Sequence, residues 1–100
     1  MPTADVPLLI VNADDFGFDP TATDLTIDCF EQGQISSATA MVHMADSRRG
    51  AERAQETGLP TGLHINLTEE FTGSEIPTAV RERHARACAA IGPHLDRVTH

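Results

Sequence analysis

The stretch "LLIVNADDFGF", residues 8–18, carries four apolar residues straight into Asn12, Ala13, Asp14, Asp15, Phe16 and Gly17. A short apolar run without polar alternation suits a strand covered on both faces, as in a parallel sheet. It predicts a strand over residues 8–13, with two adjacent carboxylates at its C-terminal end. In open parallel sheets and in barrels, chemistry collects at that end.

The chain downstream repeats the alternation of strand and helix. Asp19-Pro20 reads as an N-cap followed by proline at the first helical position. Ala22, Leu25, Cys29 and Phe30 form an apolar stripe, and Gly33 suits a C-cap. "ISSATAMV", residues 35–42, predicts a second strand. Asp46 or Ser47 caps a second helix over 47–57, with Ala51 and Ala54 on its apolar face, and Gly58 and Pro60 end it. "TGLHINLT", residues 61–68, predicts a third strand. Leu63, Ile65 and Leu67 face one way, while Gly62, His64 and Asn66 face the other. A polar loop follows over 69–75. Pro77 opens a third helix, with Val80, His84, Ala87, Cys88 and Ile91 on one face, and Gly92-Pro93 closes it. The order β-α-β-α-β-α predicts a single α/β domain with a parallel sheet and right-handed crossovers.

Composition narrows the partners. The 100 residues carry a formal net charge of −8, with seven Arg and no Lys. The first 47 residues hold eight acids and no Arg. Nucleic acid and anionic membrane both call for basic patches, so neither is expected as a partner. A metal cation or a neutral substrate suits this field. The apolar fraction is 40%, but 13 of those residues are Ala, so the expected core is thin. Cys29 and Cys88 are far apart in sequence and fit no C-x-x-C spacing, which reads as two reduced helix cysteines. No stretch has signal-peptide or membrane-spanning character, so the expected setting is cytoplasmic, with no membrane insertion.

Adjacent carboxylates on a regular strand point in different directions, because side chains alternate. They suit two different tasks better than one bidentate clamp. Asp15 as a metal ligand and Asp14 as a general base is one such division. His64, on the polar face of its strand, supplies an imidazole to the same rim, and Gly17 allows a sharp turn beside the pair. Taken alone, Asp-Asp after a strand is more often a turn or cap signal, and a lone strand His is more often structural. His43 follows the second strand and is a weaker ligand candidate. His84 reads as helix packing, and His94 and His100 as surface residues.

"LIVNADDFGF", "GQISSATAMV" and "TGLHINLT" together, in this order over residues 7–72, resemble the N-terminal part of the YdjC-like carbohydrate deacetylases. That family includes chitooligosaccharide deacetylases and hopanoid-associated sugar deacetylases. "IPTAVRERHARACAAI" also suits some members. The resemblance implies three βα units of a deformed (β/α) barrel related to the polysaccharide deacetylase fold, here incomplete. Residues 1–100 would form the N-terminal portion of that domain. It implies metal-dependent hydrolysis of an N-acetyl group on an amino sugar or chitooligosaccharide, releasing acetate. By position, Asp14 would be the catalytic base, and Asp15 and His64 metal ligands. Magnesium is the metal the family implies, and zinc suits an Asp/His set.

The family also implies a later metal-binding His in a His-x-Asp-Ser/Gly-His run, whereas this chain has "PHLDRVTH". If His94-Leu95-Asp96 begins that run, the ligand position falls on Val98. If Thr99-His100 begins it, the ligand lies beyond the sequence, and this account is the favoured one. Either way one ligand is missing, and the expected deacetylase activity of the 100 residues alone is weak or nil. Three βα units leave open sheet edges, which a homodimer would cover. Two other readings compete. A non-catalytic α/β module would keep the metal half-site. A phosphoacceptor receiver domain would need an Asp at the third strand and a Lys, where this chain offers His64, Asn66 and no Lys.

Overall fold

A computed structural model describes residues 8–99, with side chains described through Leu95. The elements are β1 (Asn12–Phe16), α1 (Pro20–Glu31), β2 (Ser37–Ala40), α2 (Ser47–Thr57), β3 (Thr61–Leu63) and α3 (Thr78–Thr99). The three strands form one parallel sheet in the order β1-β2-β3. The α/β class and the element order match the sequence expectation. No helix among the described residues is long and apolar enough to cross a membrane.

The first strand starts later than the apolar run predicts. Leu8, Leu9 and Ile10 are 93%, 83% and 79% exposed. Pairing decides the boundary. Opposite this run, residues 32–34 are still closing α1, with Gln34 N–H donating to Cys29 O. The ladder opens only where Ser36 N–H reaches Val11 O, and the first Cα pair is Asn12 with Ser37. Hydrophobicity cannot build a strand where no partner strand lies alongside.

β3 is also shorter than expected. His64 N–H still donates to Ala40 O. The Asn66 side chain then accepts from Thr68 N–H and Glu69 N–H and donates to Glu69 O. This local Asx-type turn competes successfully with strand extension. Leu63 and Ile65 are left exposed.

The core lies between the sheet and helices α1 and α2. Phe16, Ile27, Ala38, Ala54 and Leu59 form it, with Ala13, Phe30, Ile35 and Ala40 packed around it. Asp19 caps α1 as expected, its Oδ1 accepting from Ala22 N–H at 2.7 Å. The buried face of α1 differs from the predicted stripe. Thr23, Thr26 and Ile27 are buried, whereas Leu25 is 59% exposed. Spacing places 23, 26, 27 and 30 on one helical face, and threonine methyls fill positions that a hydropathy reading passes over. In α2, Gly50 and Ala54 face the core, while Ala51 is exposed. Arg49 joins the two helices by donating to both Asp46 oxygens, to Asp24 and to Pro20 O.

α3 does not stop at Gly92-Pro93 but continues to Thr99. A Cβ on Gly92 would sit 2.9 Å from Leu67 O. Gly92 is thus a point of close approach between helix and chain rather than a terminator. Pro93 is exposed, so a carbonyl freed by its ring can turn to water. The helix is held by the segment before it. Arg81 donates to Phe71 O and Gly73 O, and His84 stacks on Phe71 at 3.6 Å between ring centroids. The radius of gyration is 16.0 Å, against about 13 Å for a compact chain of this length. Cys29 and Cys88 are both free thiols on helices.

Candidate active site

β-strand alternation sorts the sheet into two faces. Ala13, Phe16 and Ala38 face the helices and the core. Asn12, Asp14, Ser37 and Thr39 are joined by side-chain hydrogen bonds on the opposite, polar face. The regular register breaks between Ala13, paired with Ala38, and Phe16, paired with Ala40. Two residues of β1, Asp14 and Asp15, therefore stand opposite one residue of β2, Thr39. That is a β-bulge, and it consists of the carboxylate pair.

Asp15 carries the unusual backbone. Its φ is +64°, in the left-handed region, and its carbonyl accepts from Phe18 N–H in the turn that follows. Gly17, at φ +88°, completes the turn, where a Cβ would meet Ser47 Cα at 3.2 Å. A non-glycine residue held there costs of order 1–3 kcal/mol and persists only when its surroundings enforce it.

The bulge changes what the pair can do. Plain alternation would send the two carboxylates to different faces. Here the two meet different but adjoining neighbours. Asp14 Oδ1 accepts from Thr39 Oγ1 and from Asn12 Nδ2, each at 3.1 Å. Asp15 Oδ1 lies 3.6 Å from His64 Nδ1, and Asp15 N–H donates to that nitrogen at 3.4 Å. Thr39 Oγ1 is 3.5 Å from the same Nδ1. The sequence-predicted residues Asp14, Asp15 and His64 thus meet on one rim.

A cavity of about 320 Å³ opens beside them, lined by Asp15, His64, Phe18, Met41, Asn66 and Glu69 among others. A larger cavity of about 750 Å³ lies on the helix side, against Phe16, Ala54 and Leu59. It is mostly apolar and holds neither carboxylate of the pair, whereas the smaller cavity is lined by Asp15 and His64, though not by Asp14.

The donor set can be tested against a metal. A His64 Nδ1 that accepts from Asp15 N–H is unprotonated, which is the state a metal ligand needs. That bond is one a cation would have to displace, and Asp15 Oδ1 lies 3.6 Å from the same nitrogen. Two donors about 2.1 Å from one ion, at 90–110°, stand about 3.0–3.4 Å apart. The observed 3.6 Å is a few tenths away. Asp15 and His64 therefore fit as part of a cation site. Among the described residues no group of three His, Cys, Asp or Glu side chains could hold a metal.

The other histidines lie elsewhere. His43 has a left-handed φ of +58°, is exposed, and has its ring 5.0 Å from Phe71. It does not line the Asp15–His64 cavity. His84 is a packing residue as expected, with Nε2 2.7 Å from Asn66 O. His94 is exposed, and His100 lies outside the described residues. Asn12, Ser37 and Thr39 are the polar residues that the sequence reading missed. The signal was present in "SSATA": Ser37 and Thr39 alternate with the buried Ala38.

Comparison with known proteins gives the family. The profile of the YdjC-like protein family matches residues 8–94. The chain belongs to the YdjC-like family. A chitooligosaccharide deacetylase of Serratia marcescens is 40% identical over 76 residues, covering 75% of this chain and 30% of that protein. One from Yersinia pestis (strain Pestoides F) is 48% identical over 62 residues, covering 61% and 24%. A human carbohydrate deacetylase is 39% identical over 61 residues, covering 61% and 19%. A crystal structure from Enterococcus faecalis V583 is provisionally described as a cellobiose-phosphate cleavage protein. It matches with a TM-score of 0.59 at 30% identity, over 70% of this chain and 28% of that one. The YdjC-like chain thus spans less than a third of the length of each of these relatives.

Proposed function

We propose that this chain takes part in metal-dependent hydrolysis of the N-acetyl group of an amino sugar or chitooligosaccharide, releasing acetate. The observation that carries the reading is the unequal environment of two adjacent carboxylates. Asp15 faces His64 across 3.6 Å, while Asp14, one residue away, is tied to Thr39 and Asn12. That asymmetry suits one ligand and one base. The deacetylase names of the relatives supply the substrate class.

In this reading Asp15 and His64 would hold a divalent cation, magnesium by family and zinc by the donor types. Such a cation lowers the pKa of a bound water toward about 7 in the most favourable zinc sites. Asp14 takes the proton of the attacking water as its oxygen bonds to the acetyl carbonyl carbon. The C–N bond then breaks, the sugar nitrogen picks up a proton, and acetate leaves. Phe18 and Met41 supply the apolar part of the cavity lining. The three βα units belong, in the same reading, to a deformed (β/α) barrel in a cytoplasmic protein.

A second reading, a non-catalytic module that keeps the half-site, is favoured by the lack of a three-donor group among the described residues. Acetate release from N-acetylglucosamine oligomers, measured with the purified chain and added magnesium or zinc, separates the two. Weak turnover that disappears in Asp14→Asn supports the enzyme. Cation binding without acetate release supports the module, and robust turnover contradicts the expected impairment. The half-site itself is tested by metal titration against Asp15→Ala and His64→Ala. Affinity unchanged in both variants removes it.

A further inference from the structure

We infer that Asn12 and Thr39 are positioning residues that set Asp14 apart as the proton acceptor and leave Asp15 and His64 free to face a cation. The inference rests on the reading of Asp14 as base given above. Three observations carry it.

First, both donors end on the same atom. Asn12 Nδ2 and Thr39 Oγ1 each donate to Asp14 Oδ1 at 3.1 Å. Two bonds from two strands fix the plane of the carboxylate. They also occupy the lone pairs of Oδ1, so Oδ2 is the oxygen left to accept a proton.

Second, Thr39 has one hydroxyl proton and two neighbours that could take it. Asp14 Oδ1 is nearer, at 3.1 Å against 3.5 Å for His64 Nδ1, and a carboxylate is the stronger acceptor. The proton is therefore committed to Asp14. Thr39 thus adds no second donor at His64 Nδ1, where the Asp15 N–H bond is the one a cation would have to displace.

Third, the arrangement is itself supported. Ser37 Oγ donates to Asn12 Oδ1 at 2.8 Å, which leaves the Asn12 amide nitrogen facing Asp14. Thr39 lies on the central strand, opposite the bulge on one side and paired with Gly62 on the other. No other β2 residue stands across from both carboxylates.

The test uses the metal-free, 15N-labelled 100-residue chain and reads solvent exchange of the Asn12 side-chain amide. The exposed Gln34 amide serves as reference. Asn12 is expected to exchange about tenfold more slowly than Gln34, the factor expected for one hydrogen bond to a charged group. Asp14→Ala should bring it to the Gln34 rate. Thr39→Val should raise it, and Thr39→Ala, which removes the hydroxyl without adding bulk, should do the same. Thr39→Ser should restore the wild-type rate, whereas a purely steric role for Thr39 predicts that serine fails. Equal Asn12 exchange in wild type and Asp14→Ala would overturn the inference. So would a Thr39→Ser rate matching that of Thr39→Val.

Magnesium added to the same samples reads the second half. Binding should survive Thr39→Val and be lost in Asp15→Ala. If Thr39→Val loses magnesium as Asp15→Ala does, the division of tasks is wrong. If wild type binds no magnesium, the metal reading fails by itself, and the exchange data still decide whether Asp14 is held as described.

Discussion

Residues 12–64 and residues 66–95 are built on different principles. The first region buries apolar side chains between a sheet and two helices, with Phe16 and Ala38 fully enclosed. The second is tied down by polar contacts to backbone carbonyls. Arg81 holds Phe71 O and Gly73 O, and His84 meets Asn66 O. It shares one small apolar cluster with the first, in which Phe71, with Ile76 beside it, packs against Met41 and Met44. Burial is non-directional and cooperative, whereas carbonyl contacts are directional and can release one at a time. The site borders the join: Asp14, Asp15 and His64 belong to the first region, and Asn66, Thr68 and Glu69 of the second line the same cavity.

The largest expected effect attacks the first region. Phe16→Ala removes its most enclosed side chain and should cost about 3–5 kcal/mol. Urea denaturation followed by circular dichroism should show the whole chain losing structure. A cooperative transition close to that of wild type would mean that this core is not what holds the chain together.

The next effect separates the regions. Arg81→Ala removes two charged hydrogen bonds and should loosen α3 by about 1.5–3 kcal/mol. Backbone hydrogen exchange should accelerate over residues 78–95 while Ala38 and Ala40 keep their protection. Equal acceleration in both would show that the regions unfold as one unit.

The smallest effect sharpens the account of the first region. Thr23 Oγ1 is buried with no hydrogen-bond partner among the described residues. Thr23→Val keeps the shape and removes the stranded hydroxyl, so it should stabilise by about 1 kcal/mol. A loss of stability in thermal melts would indicate that this hydroxyl has a partner, such as a buried water.

The same contrast explains what could be read from the sequence. The start of α1 and the end of α2 were legible because caps act locally: Asp19 reaches Ala22 three residues on, and Gly58 takes the left-handed cap, whereas the Asp46 side chain makes no cap bond and accepts from Arg49 instead. Strand limits were not, because β1 begins where Ser36 and Ser37 become available, 25 residues away. Asp14, Asp15 and His64 were legible by residue type and position. Thr39 was not, because its importance comes from standing opposite an irregularity that no local pattern announces. Gly92 was misread because a glycine that ends a helix and one that makes room for a neighbouring carbonyl look alike in a single sequence.

The bulge has a consequence for how this strand came to hold two acids. Between Ala13 and Phe16, β1 contains one residue more than β2 needs. Removing Asp15 would set Asp14 against Thr39 and keep Phe16 against Ala40, with inward and outward side chains in unbroken succession. The shortened strand would be the more regular one, free of the left-handed backbone at position 15. As architecture, then, Asp15 is surplus. What Asp15 contributes lies outside the ladder, where its carboxylate stands 3.6 Å from His64 Nδ1.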